Sequence, residues 1–193
     1  MKKSKIASSP LKIATPRNDG VRILYDGKWL RMVTVNDWEH VNRKKCTGIV
    51  IIVAKTKENK LILVEQYRPP VGKSVIEMPA GLVNDKPGKK KESFKTAAKR
   101  EFFEEAGYSA KKFTFLSKGP VSPGLSGEAV DFYLASGLTR INAGGGDETE
   151  NIKVHEVELS KICSWLKKME KKGKAVDPKI YIGLYFLGLS SKN

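Results

Sequence analysis

The longest apolar run in the chain, Gly48-Ile-Val-Ile-Ile-Val-Ala54, has the length of a buried strand and falls far short of the roughly 18 residues that cross a bilayer as a helix. The chain must therefore hide its apolar surface in a core of its own, and 193 residues with 40% hydrophobic content suffice for one substantial core. Other stretches rich in β-branched and aromatic residues predict strands at 21–25, 30–35, 48–55, 61–67, 113–116, 129–135 and 152–158. Turn-forming stretches such as Tyr25-Asp26-Gly27 and 56–59 separate them. Helical spacing of apolar residues marks 92–106, 160–172 and 177–189. Strands and helices interleave, which predicts an α/β sandwich. Three segments read as weakly structured: the first dozen or so residues, the lysine-rich stretch at 86–91, and 142–150, where three glycines precede acids.

A formal charge of +15 produces a field that attracts polyanions. No arginine-rich repeat or stacking motif joins the lysines, so nucleic acid is not an expected partner and the charge reads first as a solvated surface. The first residues are basic but lack the apolar h-region of a signal peptide, and the expected location is the cytoplasm. Cys46 and Cys163 have no metal-ligand spacing and read as ordinary buried thiols.

The densest chemistry lies in Arg100-Glu101-Phe102-Phe103-Glu104-Glu105-Ala106-Gly107-Tyr108. Glu101, Glu104 and Glu105 stand at i, i+3 and i+4, which at about 100° per residue gathers three carboxylates on one helix face. No lysine follows four residues after Glu104 or Glu105 to relieve their repulsion, and Gly107 predicts a helix stop in the left-handed conformation. A hard divalent cation would offset the repulsion, since Mg²⁺ prefers carboxylate oxygens and keeps waters for phosphate ligands. Taken alone, the cluster is equally a solvated acidic face.

With Gly81 and Glu92 ahead of it, and seven residues between Glu92 and Arg100, the segment resembles the Nudix box: Gly, five residues, Glu, seven residues, Arg-Glu-apolar-x-Glu-Glu-x-Gly-apolar. Every charged member is present. Ten residues rather than five separate Gly81 from Glu92, which reads as a loop insertion ahead of the helix. The resemblance implies an α/β/α sandwich with a mixed β-sheet and an N-terminal β-hairpin extension, residues 1–45 forming the N-terminal strands and 46–193 the hydrolase domain. It further implies Glu101, Glu104 and Glu105 as metal ligands, with the carbonyl of Ala80 as another, Mg²⁺ or Mn²⁺ as the ion, and Arg100 holding a glutamate in place. Glu92 is expected to stabilise the loop and helix rather than touch metal. The base that activates water is sought on the loop Gly144-Gly145-Gly146-Asp147-Glu148-Thr149-Glu150, with Glu148 as the base and Glu150 as a further metal ligand or alternative base; glycines there permit movement.

The resemblance extends over most of 20–190. The runs 64–70 and 76–82, with Pro123 placed 15 residues past Tyr108, are similar to ADP-ribose and ADP-sugar pyrophosphatases. That similarity implies that Arg68 binds phosphate and Glu77 the base or a nearby water; the alternative is an ion pair beside the sheet. Trp29 and Trp38 match a pair that sandwiches adenine in dimeric relatives, and Arg43 near Trp38 would reach a phosphate; core packing is the alternative for both indoles. A hairpin bearing them is marginal alone, so a homodimer is expected. The C-terminal half, with 142–146 and Asp177-Pro178-Lys179, instead resembles nucleoside-diphosphate-sugar hydrolases acting on substrates such as GDP-mannose, where an Asp-x-Lys pair marks specificity. Asp177 also reads as a helix cap ahead of Pro178. The expected substrate is a nucleotide sugar. An RNA-cap or dinucleoside-polyphosphate hydrolase stands as the enzymatic alternative, and a non-catalytic Nudix binding module as the other; loss of Glu104 or Glu105 would mark the latter, and both are present.

Overall fold

The computed structural model describes residues 20–85, 91–146 and 150–188. The run that opened the sequence reading becomes β4 (Gly48–Ala54), and its apolar continuity has a direct cause. Its odd-numbered residues Ile51 and Val53 join one core cluster with α2 (Ile162–Lys171) and α3 (Lys179–Phe186), while Val50, Ile52 and Ala54 join another against α1 (Phe94–Ala106). Val50 through Ala54 are at most 1% exposed. A strand covered on both faces has no polar side to show.

Two four-stranded sheets lie between the helices. One has the order β7 (Ala80–Val83), β4, β9 (Ala129–Arg140), β8 (Tyr108–Pro120); β4 and β9 are parallel, and the other pairs antiparallel. The second has the order β10 (Lys153–Glu158), β5 (Lys60–Arg68), β6 (Lys73–Glu77), β11 (Ala175–Val176), with only β6 and β11 parallel. This is the expected α/β sandwich of mixed sheets. The chain changes sheet between β6 and β7, where the Pro79 carbonyl accepts the Ile52 N–H at 2.8 Å. Neither strand was anticipated, because Pro79 and Gly81 punctuate the pattern as turn residues do.

The N-terminal extension is a three-stranded antiparallel sheet rather than a hairpin: β1 (Arg22–Asp26), β2 (Leu30–Val35) and β3 (Trp38–Arg43). Asn36 and Asp37, both at positive φ (47° and 62°), make the two-residue connection that suits the twist of paired strands. β3 escapes a hydrophobic pattern because Trp-Glu-His-Val-Asn-Arg alternates weakly.

α1 begins at Ser93, whose hydroxyl accepts the Thr96 N–H at 3.1 Å, and ends at Gly107 (φ 74°) as expected. Phe102 anchors it, fully buried, stacked on Tyr108 and edge-on to Phe113; hiding a side chain of this size contributes about 1.5–3 kcal/mol. The second predicted helix is shorter than 160–172, its start taken by a 3₁₀ turn at Leu159–Lys161. Cys163 faces outward on it, exposed, and Cys46 is half-buried, so the expectation of two buried thiols does not hold. No helix among the described residues is long and apolar enough to cross a membrane.

Candidate active site

The buried side of α1 carries Ala97, Ala98, Glu101, Phe102 and Glu105. Two carboxylates thus enter the interior on the face that holds the helix down. Glu101 is 8% exposed and Glu105 2%, positions that carboxylates rarely occupy without partners. Glu101 fits because Gly81 has no side chain: a Cβ there would lie 1.9 Å from the Glu101 Cδ. Glu105 accepts the backbone N–H of Ala80 at 2.9 Å through Oε2.

Arg100 is the hub that relieves the acidic face. Its Nη1 donates to Glu101 Oε1 at 2.7 Å and to Glu104 Oε2 at 3.0 Å, and its Nη2 to Glu92 Oε1 at 2.8 Å and the Leu82 carbonyl at 3.0 Å. Glu92 therefore ties the segment before the helix to the helix itself, and its own N–H donates to Asn84 Oδ1 at 2.7 Å. One guanidinium thus offsets part of the charge of three carboxylates from within the cluster. No three His, Cys, Asp or Glu side chains among the described residues converge on a point that could hold a metal ion: Arg100 draws Glu101 and Glu104 to itself while Glu105 turns to Ala80.

Burial pushes Glu101 up to about 7 despite the Arg100 guanidinium beside it, and pushes Glu105 well above the usual carboxylate range. The donor set still fits a hard cation, since buried carboxylate oxygens that resist ionisation need a positive charge to ionise fully. Folding raises the Glu101 pKa, so its contribution is complete below the ordinary value of 4.5 and is lost as pH rises through about 7. In chelator, the melting temperature of Glu101→Gln minus that of the unmodified protein should therefore increase over that window. A flat or falling difference in thermal melts would contradict the burial argument.

A cleft of about 510 Å³ runs over this helix face. Its walls include Arg43, Arg68, Glu77, Ala80, Arg100, Glu101, Glu104, Glu105, Glu150, Asp177 and Lys179. Residues from both four-stranded sheets, α1, α3 and the N-terminal sheet thus meet there. Arg68 grips Glu77 with two hydrogen bonds, Nε to Oε1 at 2.8 Å and Nη2 to Oε2 at 2.5 Å, the ion pair foreseen as the alternative to phosphate binding. Asp177 accepts the Lys179 N–H at 2.8 Å and its Nζ at 2.5 Å, so it caps α3 and faces the cleft at once.

Trp29, in the turn between β1 and β2, and Trp38, on β3, are 56% and 63% exposed and lie outside the residues that line the cleft of one chain, which removes the core-packing alternative. Trp29 lies beneath Lys28 and Lys45, and Trp38 donates to the Gly124 carbonyl at 3.1 Å. The glycines at 144–146, expected to serve movement, dock on the end of α1. Gly145 and Gly146 donate to the carbonyls of Glu105 and Glu104 at 2.9 and 3.0 Å, and a Cβ at Gly144 would lie 2.5 Å from the Glu105 carbonyl oxygen. All three have positive φ (71°, 126° and 85°), which favours glycine, and at Gly144 the close approach to α1 requires it as well. Glu148 lies outside the described residues, as do 86–90 of the lysine-rich insertion.

The sequence reading missed Asp85, whose carboxylate lies 3.8 Å from Arg100, and Glu128, which accepts from Arg43 Nε at 2.5 Å. Both line the cleft. An acid standing directly before the apolar strand β9 was the only local signal for Glu128.

The α/β/α sandwich thus frames a cleft in which Arg43, Arg68, Arg100 and Lys179 stand among eight carboxylates, and the comparisons give the class of protein this belongs to. The NUDIX domain model matches residues 43–180, and the chain belongs to that family: it is a Nudix hydrolase. It is 37% identical over 143 residues to the methanol dehydrogenase activator of Bacillus methanolicus, covering 74% of this chain and 72% of that one. To the ADP-ribose pyrophosphatase of Bacillus subtilis it is 38% identical over 116 residues, 60% of each chain. To the GDP-mannose pyrophosphatase of Escherichia coli it is 32% identical over 139 residues, covering 67% and 69%. A solved structure titled as an ADP compounds hydrolase shares the fold, with a TM-score of 0.56 and 24% identity over 77% of this chain and 84% of that one.

Proposed function

We propose that this hydrolase splits the diphosphate of nucleoside-diphosphate sugars into a nucleoside monophosphate and a sugar phosphate, with ADP-ribose and ADP-sugars as principal substrates and GDP-mannose within its range. One observation carries the reading: the acidic face of α1, the Arg68–Glu77 pair and the Asp177–Lys179 pair line a single cleft. Phosphate, metal and sugar recognition can thereby act on one molecule. The names of the ADP-ribose and GDP-mannose pyrophosphatase relatives support the same class.

In this reading Glu101, Glu104 and Glu105, with the Ala80 carbonyl and Glu150, would hold Mg²⁺, Mn²⁺ being a substitute. When bound, the metal neutralises phosphoryl oxygens and lowers the pKa of attacking water. Arg100 positions Glu101 and Glu104 through its two hydrogen bonds. Arg68 exchanges part of its grip on Glu77 for a substrate phosphate, and Arg43 reaches a phosphate from the N-terminal side. Glu77 orients water, Asp177 and Lys179 face the sugar, and Glu148 removes the proton from the attacking water. The test is a panel of ADP-ribose, ADP-glucose, GDP-mannose, UDP-glucose and capped RNA with Mg²⁺, products identified. Cleavage of the sugar nucleotides ahead of capped RNA is expected, and the reverse order would select the cap-hydrolase alternative.

Residues 1–45 serve dimerisation and 46–193 catalysis. The support is an exposed apolar sheet: Ile23, Tyr25, Trp29 and Trp38 are each more than half exposed, more than a small sheet presents to water without a partner. Two copies would cover it and bring one indole from each subunit to the adenine. Sedimentation at micromolar concentration should show a dimer; monomer alone would refute this.

A further inference from the structure

β3 is the outer strand of the N-terminal sheet, so the N–H and C=O groups along its free edge need partners from elsewhere. The segment 121–128, which joins β8 to β9, supplies them. Val41 donates its N–H to the Leu125 carbonyl at 2.9 Å and pairs in parallel with Ser126. Side chains at the two ends of β3 extend this contact: Trp38 Nε1 donates to the Gly124 carbonyl at 3.1 Å, and Arg43 Nε to Glu128 Oε1 at 2.5 Å. The segment is also tied to itself. The Ser122 carbonyl accepts the N–H groups of Leu125 and Ser126 at 3.0 and 2.9 Å, and Ser126 Oγ accepts the Glu128 N–H at 2.9 Å. A turn braced in this way moves as a unit, so a hold on Gly124 is felt at Glu128.

Arg43 and Glu128 both line the cleft, and the bond between them sets the direction in which Arg43 presents its guanidinium. Trp38 is largely exposed, so it buries little surface on behalf of the segment; what it supplies is the indole N–H. We propose that Trp38 is a positioning residue for the cleft: through Gly124 it holds the braced 121–128 segment against β3, and thereby keeps Glu128 in place to orient Arg43. The N-terminal sheet then forms a wall of the active site in its own chain, apart from any role in joining two chains. The inference rests on the reading of the cleft as a diphosphate site, in which Arg43 meets a phosphate.

Trp38→Phe keeps an aromatic ring and removes the donor. In hydrogen–deuterium exchange of the ligand-free protein, peptides from 121–128 should exchange about 5-fold faster in the variant, with β4 and α1 unchanged. Unaltered exchange at 121–128 would overturn the proposal. The unmodified protein gives the same answer without a variant: by NMR the Trp38 indole N–H should exchange with solvent about 5-fold more slowly than that of the comparably exposed Trp29, and equal rates would overturn the proposal even where Trp38→Phe fails to fold. In steady-state rates the effect should fall on KM and run through Glu128. Trp38→Phe should raise KM for ADP-ribose about 5-fold with kcat within about twofold, and in a Glu128→Gln background it should lower kcat/KM by no more than about twofold. Equal costs in the two backgrounds would mean that Trp38 acts on the substrate by itself, as a stacking face does, and would remove the positioning role. Failure of the unmodified protein to cleave ADP-ribose with Mg²⁺ would instead sink the diphosphate reading, while the exchange measurements still decide whether Trp38 holds the segment.

Discussion

Glu105→Gln is expected to lower kcat at least ~100-fold, and Glu104→Gln to do the same, with the fold intact in both. Glutamine keeps the volume of the side chain, and its carbonyl can still accept the Ala80 N–H that Glu105 accepts at 2.9 Å. What it removes is negative charge from a site only 2% exposed, where no solvent substitutes for a lost metal ligand. Stability should not fall, because the buried carboxylate is itself costly in the metal-free protein. Steady-state rates paired with circular dichroism would check this. Activity of both folded variants within about threefold of the unmodified enzyme would sink the catalytic assignment of the acidic helix.

The second large effect separates the base from a metal ligand on the loop after Gly146. Glu148→Gln should cut the maximal rate ~100-fold while leaving the Mg²⁺ concentration for half-maximal rate nearly unchanged, because a general base acts in the transition state and not in metal binding. Glu150→Gln should instead raise that concentration, since Glu150 lines the cleft with the helix carboxylates. A magnesium titration of each variant distinguishes them. Should Glu148→Gln keep its plateau and Glu150→Gln lose it, the roles are exchanged; two unchanged plateaus would send the search for the base back to α1 and Glu77.

The acidic helix was legible because its chemistry is local. Spacing i, i+3, i+4 and the left-handed stop at Gly107 are encoded within a few turns, while the cap at Ser93 went unread and the start was placed two residues early; β4 announced its double burial by lacking any polar residue. Long-range pairing was not legible. The Arg43–Glu128 bond joins residues 85 apart, and nothing near either one names the other. Strands β6 and β7 were hidden by Pro79 and Gly81, residues that usually end a strand and here mark its passage from one sheet to the next. The glycines at 144–146 were read for their freedom; their positive φ and the hydrogen bonds of Gly145 and Gly146 to carbonyls at the end of α1 depend on contacts far from them in sequence. Family resemblance supplied candidates such as Arg68 and Asp177, and the fold brings them to one cleft; within one chain Trp29, in the β1–β2 turn, and Trp38, on β3, stay outside it and exposed.

Hydrolysis of ADP-ribose in ¹⁸O-labelled water with Mg²⁺, followed by mass spectrometry of the products, tests the central claim most directly. Attack of water on the diphosphate predicts AMP and ribose 5-phosphate in equal amounts, with a single ¹⁸O in the phosphate of one of them, and no reaction in chelator. Intact ADP-ribose, or label on a ribose carbon with the diphosphate unbroken, would contradict it.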